Sequence, residues 1–323
     1  MPPTVTLDDI RAAAIRVSKI ARRTPLQDVS VQAGTGLVLK CENLQPGGAF
    51  KIRGAYNMVA QLTDEERRRG VVTFSSGNHG QAMALAAREL GAPAVVVMPT
   101  TAPKVKIDGV KGYGAEIIFA GTTSTERRVR AEAEAQKRGM TMVPPFDHPW
   151  IVAGQGTAGL EILEQRPDVA TVLVPIGGGG LAAGVAAAVK LSRPDVSVIG
   201  VEPAGAAKMK SSIAAGHPVT LDRTESIADG LLPVRPGDLT FALVKQFIDT
   251  IVTVEDQQIV DAVLWLESSA KIVVEPSGAA SVAAALAGAG APGPAVAIIS
   301  GGNIDLERLE EFREEARARS AGR

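Results

Sequence analysis

The sequence has a single cysteine, few aromatic residues and almost no net charge. Because Cys41 is alone, no intrachain disulfide can form, and we expect a reducing, cytoplasmic location. Aromatic residues make up only 3% of the chain, which argues against a surface that stacks nucleic-acid bases. A net charge of −1 gives no field that attracts nucleic acid or an anionic membrane. Nucleic acid and membranes are therefore not expected as partners.

Long apolar runs and a signal-like N-terminus are also missing. No apolar run is long enough to span a bilayer, and the first residues lack an apolar signal core. The chain has 323 residues, of which 46% are hydrophobic. This length suits about two globular domains.

Strand and helix patterns alternate from about residue 70 onwards. Continuous apolar runs at residues 71–74, 94–98, 171–176 and 295–299 predict buried strands, and helical patterns separate them. This alternation predicts an α/β fold with open parallel sheets covered by helices on both faces. We also expect a first helix over about residues 7–22 and an irregular segment over residues 204–238.

Lys51 lies in an unusual local sequence, because it follows the turn residues Pro46, Gly47 and Gly48 and begins a predicted helix. A helix N-terminus carries partial positive charge, which disfavours an ammonium ion and favours a neutral amine. A neutral lysine is the nucleophile that forms a Schiff base with a carbonyl compound. A solvated lysine at a loop-to-helix junction is the simpler alternative.

A second unusual loop consists of glycines only and follows the strongest predicted strand. Four glycines before a helix favour close wrapping around a phosphate, with donors supplied by the helix N-terminus. The same residues fit a dinucleotide fingerprint, with Glu202 where a ribose-binding acid would lie, so an NAD-dependent oxidoreductase stays open. The loop residues are Gly177, Gly178, Gly179 and Gly180.

A third loop, residues 75–80, carries hydroxyl, amide and imidazole groups at another predicted helix start. Such a turn can bind a carboxylate through backbone N–H groups and hydroxyls. Ser75 or Ser76 as a helix cap, with His79 packed inside, is the structural alternative. The three histidines and Cys41 have no metal-ligand spacing, which argues against a zinc site.

Five segments together resemble one family. They are FKIRGA (residues 50–55), SSGNHGQ (75–81), AGQGT (153–157), GGGG (177–180) and SGGN (300–303). In this order they closely resemble the pyridoxal-phosphate-dependent serine/threonine dehydratases (threonine ammonia-lyases) and serine racemases, of the tryptophan-synthase β-subunit fold type. The resemblance extends from about residue 24 to residue 305 and outweighs the dinucleotide interpretation, which explains one segment only.

The resemblance implies two domains with pyridoxal 5′-phosphate between them. Residues 1–65 and 145–323 would form a large cofactor-binding domain, and residues 66–144 a small α/β domain. It also implies a homodimer or homotetramer.

The resemblance further implies a role for each site residue. Lys51 would hold the cofactor as a Schiff base and act as the base at Cα. Asn78 would bind the ring hydroxyl, and Ser300 would face the ring nitrogen without charging it. Other implied cofactor contacts are Phe50, Gly177, Gly178, Gly179, Gly180, Leu181 and Glu275, and implied substrate contacts are Ser75, Ser76, Gly77, Asn78 and His79.

The activity implied is α,β-elimination of L-threonine or L-serine to a 2-oxo acid and ammonia. Ser76 lies where racemases of the family place their second base, so a serine racemase is the alternative, as is a lyase for 3-hydroxyaspartate or another β-hydroxy amino acid.

The chain departs from the family pattern at several positions. Ala49 replaces a serine beside the lysine. Glu202 and Ala206 match a divalent-cation site of many relatives, but Lys208 replaces its second acid, so we expect a lysine–glutamate pair instead of a metal. The chain leaves no room for a regulatory domain, so feedback control by isoleucine is not expected.

Overall fold

The structure, a computed structural model, describes residues 5–75, 77–102, 104–290 and 293–321. Its strands are β1 (Leu26–Asp28), β2 (Leu37–Cys41), β3 (Val71–Phe74), β4 (Ala94–Met98), β5 (Glu116–Phe119), β6 (Thr141–Met142), β7 (Thr171–Pro175), β8 (Ser197–Pro203), β9 (Thr250–Val254) and β10 (Ala295–Ile299).

The helices are α1 (Leu7–Val17), α2 (Ser30–Ala33), α3 (Lys51–Val59), α4 (Asp64–Arg69), α5 (Asn78–Glu89), α6 (Lys104–Gly112), α7 (Ser124–Arg138), α8 (Pro149–Gln165), α9 (Gly180–Ser192), α10 (Lys208–Ala215), α11 (Asp238–Phe247), α12 (Asp256–Trp265), α13 (Pro276–Leu286) and α14 (Leu306–Ala321). Within the described ranges, no helix is long and apolar enough to cross a membrane.

Two sheets organise these elements. Among the described residues, six strands form the larger sheet in the order β1-β2-β10-β7-β8-β9, and four form the smaller one in the order β5-β4-β3-β6. Neighbouring strands run parallel apart from β1, which pairs antiparallel with β2. The predicted α/β architecture with two parallel sheets is confirmed. The smaller sheet falls inside residues 66–144, whose exact limits as a domain stay a prediction.

Both faces of the larger sheet are buried, which is why its strands read as continuous apolar runs. On one face, Val172 and Val174 of β7 join a cluster with α1, α8 and α9. On the other face, Leu173 joins a cluster with α12, α13 and α14. Side chains alternate because successive residues of a strand point to opposite faces. The carboxyl ends of these strands carry the loops that form the site.

Glycines allow α3, α8 and α9 to pack with their backbones almost in contact. A Cβ built on Gly154 would lie 2.6 Å from the carbonyl oxygen of Arg53, and one on Gly184 would lie 2.3 Å from that of Val152. The side chain of Gln155 accepts a hydrogen bond from the Gly54 amide at 3.2 Å. The 153–157 segment of the family pattern is therefore a packing motif that positions the helix of Lys51.

Two expectations about helices are wrong. The first helix ends at Val17 instead of residue 22, where the chain tightens into turns, with the Ile20 amide bonded to the carbonyl oxygen of Val17 at 3.0 Å, before the Arg22 amide donates to the side chain of Gln45 at 2.8 Å. The segment 204–238 contains α10, which begins at Lys208. Its first amides are satisfied by Glu202, a residue from the preceding strand, so no cap is visible in the local sequence.

Candidate active site

Lys51 is the first residue of α3, after a turn that only glycine adopts without strain. Gly47 and Gly48 have φ of +78° and +74°, in the left-handed region. The ammonium nitrogen Nζ of Lys51 donates to the carbonyl oxygen of Pro145 at 2.9 Å and lies 5.1 Å from the ring centre of Phe50. The lysine thus points toward the segment that joins the smaller sheet to α8.

Burial is the main reason why this lysine is unusual. It lowers the pKa of Lys51 to about 8, while the nearby Glu275 carboxyl group opposes that change. The sequence suggests the helix N-terminus as the reason for a neutral amine, whereas desolvation is the largest cause in the folded protein. Near pH 8 about half of the Lys51 side chains are unprotonated nucleophiles.

Arg53 anchors the helix that carries Lys51. Its guanidinium group is fully buried and binds both oxygens of Glu42, at 2.7 and 2.8 Å, and both oxygens of Glu161, at 2.7 and 2.8 Å. Lys40 donates to the same Glu161 at 2.5 Å. A planar guanidinium fits two carboxylates in this way, and a lysine does not. The arginine of the FKIRGA segment therefore fixes the orientation of α3.

The 75–80 turn connects β3 to α5, and its hydroxyl group stabilises the turn itself. The Ser75 Oγ accepts a hydrogen bond from the Gly77 amide at 3.1 Å. The cap position of α5 is Gly77, so Ser75 is not the helix cap. Ser76 lies outside the described residues, and its predicted role stays a prediction. The amides of Asn78 and His79 precede the first hydrogen bond of α5, which the Gly80 amide donates to the carbonyl oxygen of Gly77 at 3.0 Å, and amides in this position suit an anion-binding turn.

The side chain of His79 is held away from the predicted role in binding the substrate carboxylate. It is buried, and its Nε2 lies 3.0 Å from the carbonyl oxygen of Val143. Burial, aided by the positive charge of Lys51, lowers the pKa of His79 to about 3, so its ring is neutral. The imidazole packs inside, which is the structural alternative given above. Only the backbone of this residue stays available for the predicted carboxylate contact.

Asn78 links three loops of the site. Its amide nitrogen donates to the Glu275 carboxyl group at 2.6 Å, and its oxygen accepts from the Asn303 amide at 2.9 Å. Asn303 also donates to the carbonyl oxygen of Gly47 at 2.8 Å. Burial, together with the charge of Asp229, raises the pKa of Glu275 to about 8. Asn303 belongs to the SGGN segment, but nothing in its spacing identifies this bridging role.

The 300–303 loop runs alongside the lysine loop. The Phe50 amide donates to the carbonyl oxygen of Ser300 at 3.1 Å, and Ala49 forms an isolated β-bridge with Gly301. The buried hydroxyl group of Ser300 donates to the carbonyl oxygen of Ser277 at 3.2 Å. The backbone pairing places Ser300 directly beside the start of the lysine helix, as predicted for two loops that share one site.

The glycine loop (residues 177–180) joins β7 to α9 and is tightly enclosed. A Cβ built on Gly178 would lie 2.2 Å from the Phe146 ring, and Gly179 has a φ of +99°. The hydroxyl group of Thr240 donates to the carbonyl oxygen of Gly178 at 2.7 Å. Phe146 follows Pro145, whose carbonyl oxygen accepts the hydrogen bond of the Lys51 amine, so the glycine loop lies close to that amine. The backbone amides at the start of α9 suit a phosphate group.

Lys106 and Asp229 form an ion pair across the site that the sequence does not indicate. Lys106 belongs to α6 beside the smaller sheet, and Asp229 begins the short 3-10 turn Asp229–Leu231 on the larger-sheet side. A Cβ built on Gly77 would lie 3.4 Å from the Lys106 ammonium nitrogen. The ammonium group of this pair therefore lies over the 75–80 turn. No periodicity or motif marks either residue.

The dinucleotide interpretation does not fit the environment of Glu202. Its two carboxylate oxygens each accept a backbone hydrogen bond at 2.9 Å, from Met209 and Lys210, and one of them also contacts the Lys208 ammonium at 3.1 Å. A carboxylate with these partners is not free to bind ribose hydroxyls. The geometry thus favours a phosphate-binding role for the glycine loop, beside a reactive lysine.

Comparison with known proteins decides the cofactor class. A profile of the family described as "Pyridoxal-phosphate dependent enzyme" matches residues 17–301. The chain belongs to this family. Pyridoxal 5′-phosphate is its cofactor, and the predicted pyridoxal-phosphate-dependent enzyme of this fold type is confirmed.

Several characterised relatives are similar over most of their length. An L-threonine ammonia-lyase of Thermotoga maritima is 45% identical over 95% of this chain and 78% of its own. A serine racemase of Schizosaccharomyces pombe is 40% identical over 95% of this chain and 97% of its own. The structure of maize serine racemase superposes with a TM-score of 0.92 and 39% identity, covering 99% of this chain and 100% of that chain.

Proposed function

We propose that the enzyme is an ammonia-lyase that converts L-threonine or L-serine into the corresponding 2-oxo acid and ammonia. The observation that carries this proposal is the partly desolvated Lys51 amine at the meeting point of the lysine, glycine, 75–80 and 300–303 loops. The L-threonine ammonia-lyase of Thermotoga maritima supports the choice of reaction, since it is 45% identical.

The residues present fit the cofactor. When bound, pyridoxal phosphate supplies an electron sink that makes the Cα proton of an amino acid acidic. The glycine loop and the first amides of α9, from Gly180 and Leu181, would hold its phosphate group, and Lys51 its aldehyde carbon. Asn78, Phe50, Glu275 and Ser300 would surround its ring.

Lys51 would remove the Cα proton of the substrate. An amine whose pKa is about 8 accepts a proton near neutral pH and releases it again readily. Glu275 assists this balance, because its own raised pKa keeps it largely protonated below about pH 8. A fully charged Glu275 would instead hold Lys51 as an ammonium ion.

The substrate carboxylate would bind at the 75–80 turn. The amides at the start of α5 and the positive end of its dipole favour an anion there. The Lys106 ammonium, which is paired with Asp229, lies near Gly77 on the same side and can donate a hydrogen bond there. Ser75, Gly77 and the backbone of His79 would thus orient the amino acid with its Cα near Lys51.

Absorbance and product assays test the proposal together. The purified protein should absorb visible light, and borohydride should attach the cofactor to the peptide that contains Lys51. A panel of L-threonine, L-serine and 3-hydroxyaspartate should give 2-oxo acid fastest with one of the first two. Lys51→Ala should abolish release, whereas the exposed Lys104→Ala should not. A colourless protein without this activity would refute the proposal.

Serine racemisation is the second candidate, because the yeast and maize relatives are named serine racemases. The same reactions with L-serine should be analysed for D-serine as well as for 2-oxo acid. If D-serine accumulates faster than the 2-oxo acid, the lyase assignment is wrong. Ser76→Ala should then suppress D-serine formation more strongly than elimination, as a second base requires.

A further inference from the structure

Lys208 carries a fully buried ammonium group that is enclosed by oxygen atoms. Its Nζ lies 3.0 Å from the carbonyl oxygen of Ile176, 3.1 Å from that of Ala206 and 2.9 Å from that of Leu231. A carboxylate oxygen of the buried Glu202 is 3.1 Å away. An ammonium group has three donors, so four oxygens at these distances satisfy it completely.

This arrangement does not fit the divalent-cation site that the family resemblance implies. Glu202 and Ala206 are present, but the position between them is filled by the Lys208 ammonium. Within the described part of the chain, no three His, Cys, Asp or Glu side chains are grouped closely enough to bind a metal ion. Hard divalent cations need six or more oxygen ligands, often from several carboxylates. The predicted pairing of Lys208 with Glu202 is what the structure contains.

The oxygens around Lys208 belong to segments on both sides of the glycine loop. Ile176 immediately precedes Gly177, and the carbonyl oxygen of Gly230, next to Leu231, lies 2.8 Å from a Cβ built on Gly177. Glu202 ends β8, the strand beside β7. A single ammonium group therefore joins the root of the glycine loop, the 230–231 segment and the end of a neighbouring strand.

We propose that Lys208 is a built-in cation that positions the glycine loop and makes the enzyme independent of a divalent metal. It is a positioning residue, since it reaches the cofactor only through the loop. Without the ammonium, three buried carbonyl oxygens would lose their donor and the Glu202 carboxylate would lose its counter-charge, and the loop would shift. The inference rests on the proposed role of the glycine loop in holding phosphate.

The first test uses the wild-type holoenzyme. After treatment with EDTA, its melting temperature and its affinity for pyridoxal phosphate should stay unchanged, and added Mg²⁺ or Ca²⁺ should change neither. A substantial gain in melting temperature or cofactor affinity on adding either ion would overturn the proposal. This arm needs no variant, so it decides even where a substitution prevents folding.

The second test compares Lys208→Met with Lys210→Met, two substitutions on the same helix. The Lys210 side chain is exposed, and its contact to Glu202 is made by its backbone amide. Lys208→Met should weaken pyridoxal-phosphate binding by about tenfold, because buried acceptors lose their donor. Lys210→Met should bind as the wild type does. Equal cofactor affinities in the two variants would overturn the positioning role.

The third test turns the site into a metal site. Lys208→Asp removes the ammonium and adds a second carboxylate, a ligand set that Mg²⁺ and Ca²⁺ accept. Its melting temperature should be low in EDTA and rise when either ion is added, with or without cofactor. A variant as stable as the wild type in EDTA would contradict the inference. The melting temperature of the cofactor-free variant tests the metal site alone. A failure of the proposed phosphate-binding role of the glycine loop would be seen separately, in the titration with cofactor.

Discussion

The side-chain amide of Asn78 donates a 2.6 Å hydrogen bond to the buried carboxyl group of Glu275. Asn78 begins a helix beside the smaller sheet, whereas Glu275 precedes a helix on the larger one. The bond therefore spans the two sheets at the site. It also places a carboxyl group of raised pKa next to the reactive lysine, and the pH behaviour of the cofactor-free protein should reveal it.

Stability of the cofactor-free protein should fall with rising pH because of Glu275. Its pKa is raised by burial from 4.5 to about 8, so the folded state binds a proton that the unfolded chain has lost. This stabilisation is complete below pH 4.5 and disappears as pH passes through about 8. Glu275→Gln should remove up to about 1.4 kcal/mol per pH unit from the slope of unfolding free energy between these limits.

Urea unfolding of the cofactor-free protein at pH 5, 6, 7 and 8 measures that slope. Glu307→Gln, which changes an exposed carboxylate of α14, serves as the matched control and should leave the slope unchanged. A Glu275→Gln protein with the wild-type slope would mean that the carboxyl group titrates normally.

Lys51 should react as an amine of low pKa. Because burial lowers its pKa to about 8, its unprotonated fraction rises about tenfold between pH 7 and pH 9 and then levels off. An ordinary lysine with a pKa near 10.4 gains about a hundredfold over the same range. Trace acetylation of the cofactor-free protein by acetic anhydride, which reacts only with the unprotonated amine, followed by peptide mass spectrometry, measures both profiles. In urea, Lys51 should return to the ordinary profile, and an unchanged profile there would refute burial as the cause.

Arg53→Met should destabilise the protein by about 3–5 kcal/mol, because it leaves Glu42 and Glu161 buried without their partner. Arg53→Lys should recover only part of this loss, since an ammonium group cannot bind two carboxylates with two bonds each. The control is Arg23→Met, which breaks an exposed pair with Glu164 and should cost less than about 1 kcal/mol. Similar unfolding free energies for Arg53→Met and Arg23→Met would contradict the anchoring role.

Gly184→Ala should destabilise the contact between α8 and α9. The added Cβ would lie 2.3 Å from the carbonyl oxygen of Val152 and 2.6 Å from the amide of Gly156, both backbone atoms that cannot rotate away. We expect a loss of about 1–3 kcal/mol or more. Gly112→Ala, where nothing lies within 4 Å of the new Cβ, is the control and should be neutral or slightly stabilising. The measurement is thermal unfolding of both variants. Equal melting temperatures would contradict the close packing.

The sequence predicts well those features that a local pattern determines. The strands over residues 71–74, 94–98 and 295–299 are found at the predicted limits, since apolar runs between turn residues define buried parallel strands. The four small-residue loops around Lys51, residues 75–80, residues 177–180 and residues 300–303 fit one site, because ligands of parallel sheets bind at the carboxyl ends of the strands. The contacts of Asn78, Phe50 and Ser300 bring three of these loops together, and the lysine reaches the fourth through Pro145.

Features that depend on distant residues were missed or misattributed. The helix at Lys208 needs Glu202 to cap it, and the Lys106–Asp229 pair joins elements more than a hundred residues apart. The lowered pKa of Lys51 comes from burial, which no local sequence encodes. His79 was expected to contact substrate, yet its ring is bonded to Val143. The homo-oligomer, the cytoplasmic location and the role of Ser76 stay predictions.

The helix of Lys51 belongs to the core of both halves of the protein. Ile52, Met58 and Val59 belong to one buried cluster with Met83 of α5, on the side of the smaller sheet. The opposite side meets α8 through Gly154. A nascent chain in which only one half has folded therefore does not yet hold the reactive lysine in its final position. We expect the cofactor to bind only after both halves have folded, so that visible absorbance from the bound cofactor should report on completed folding.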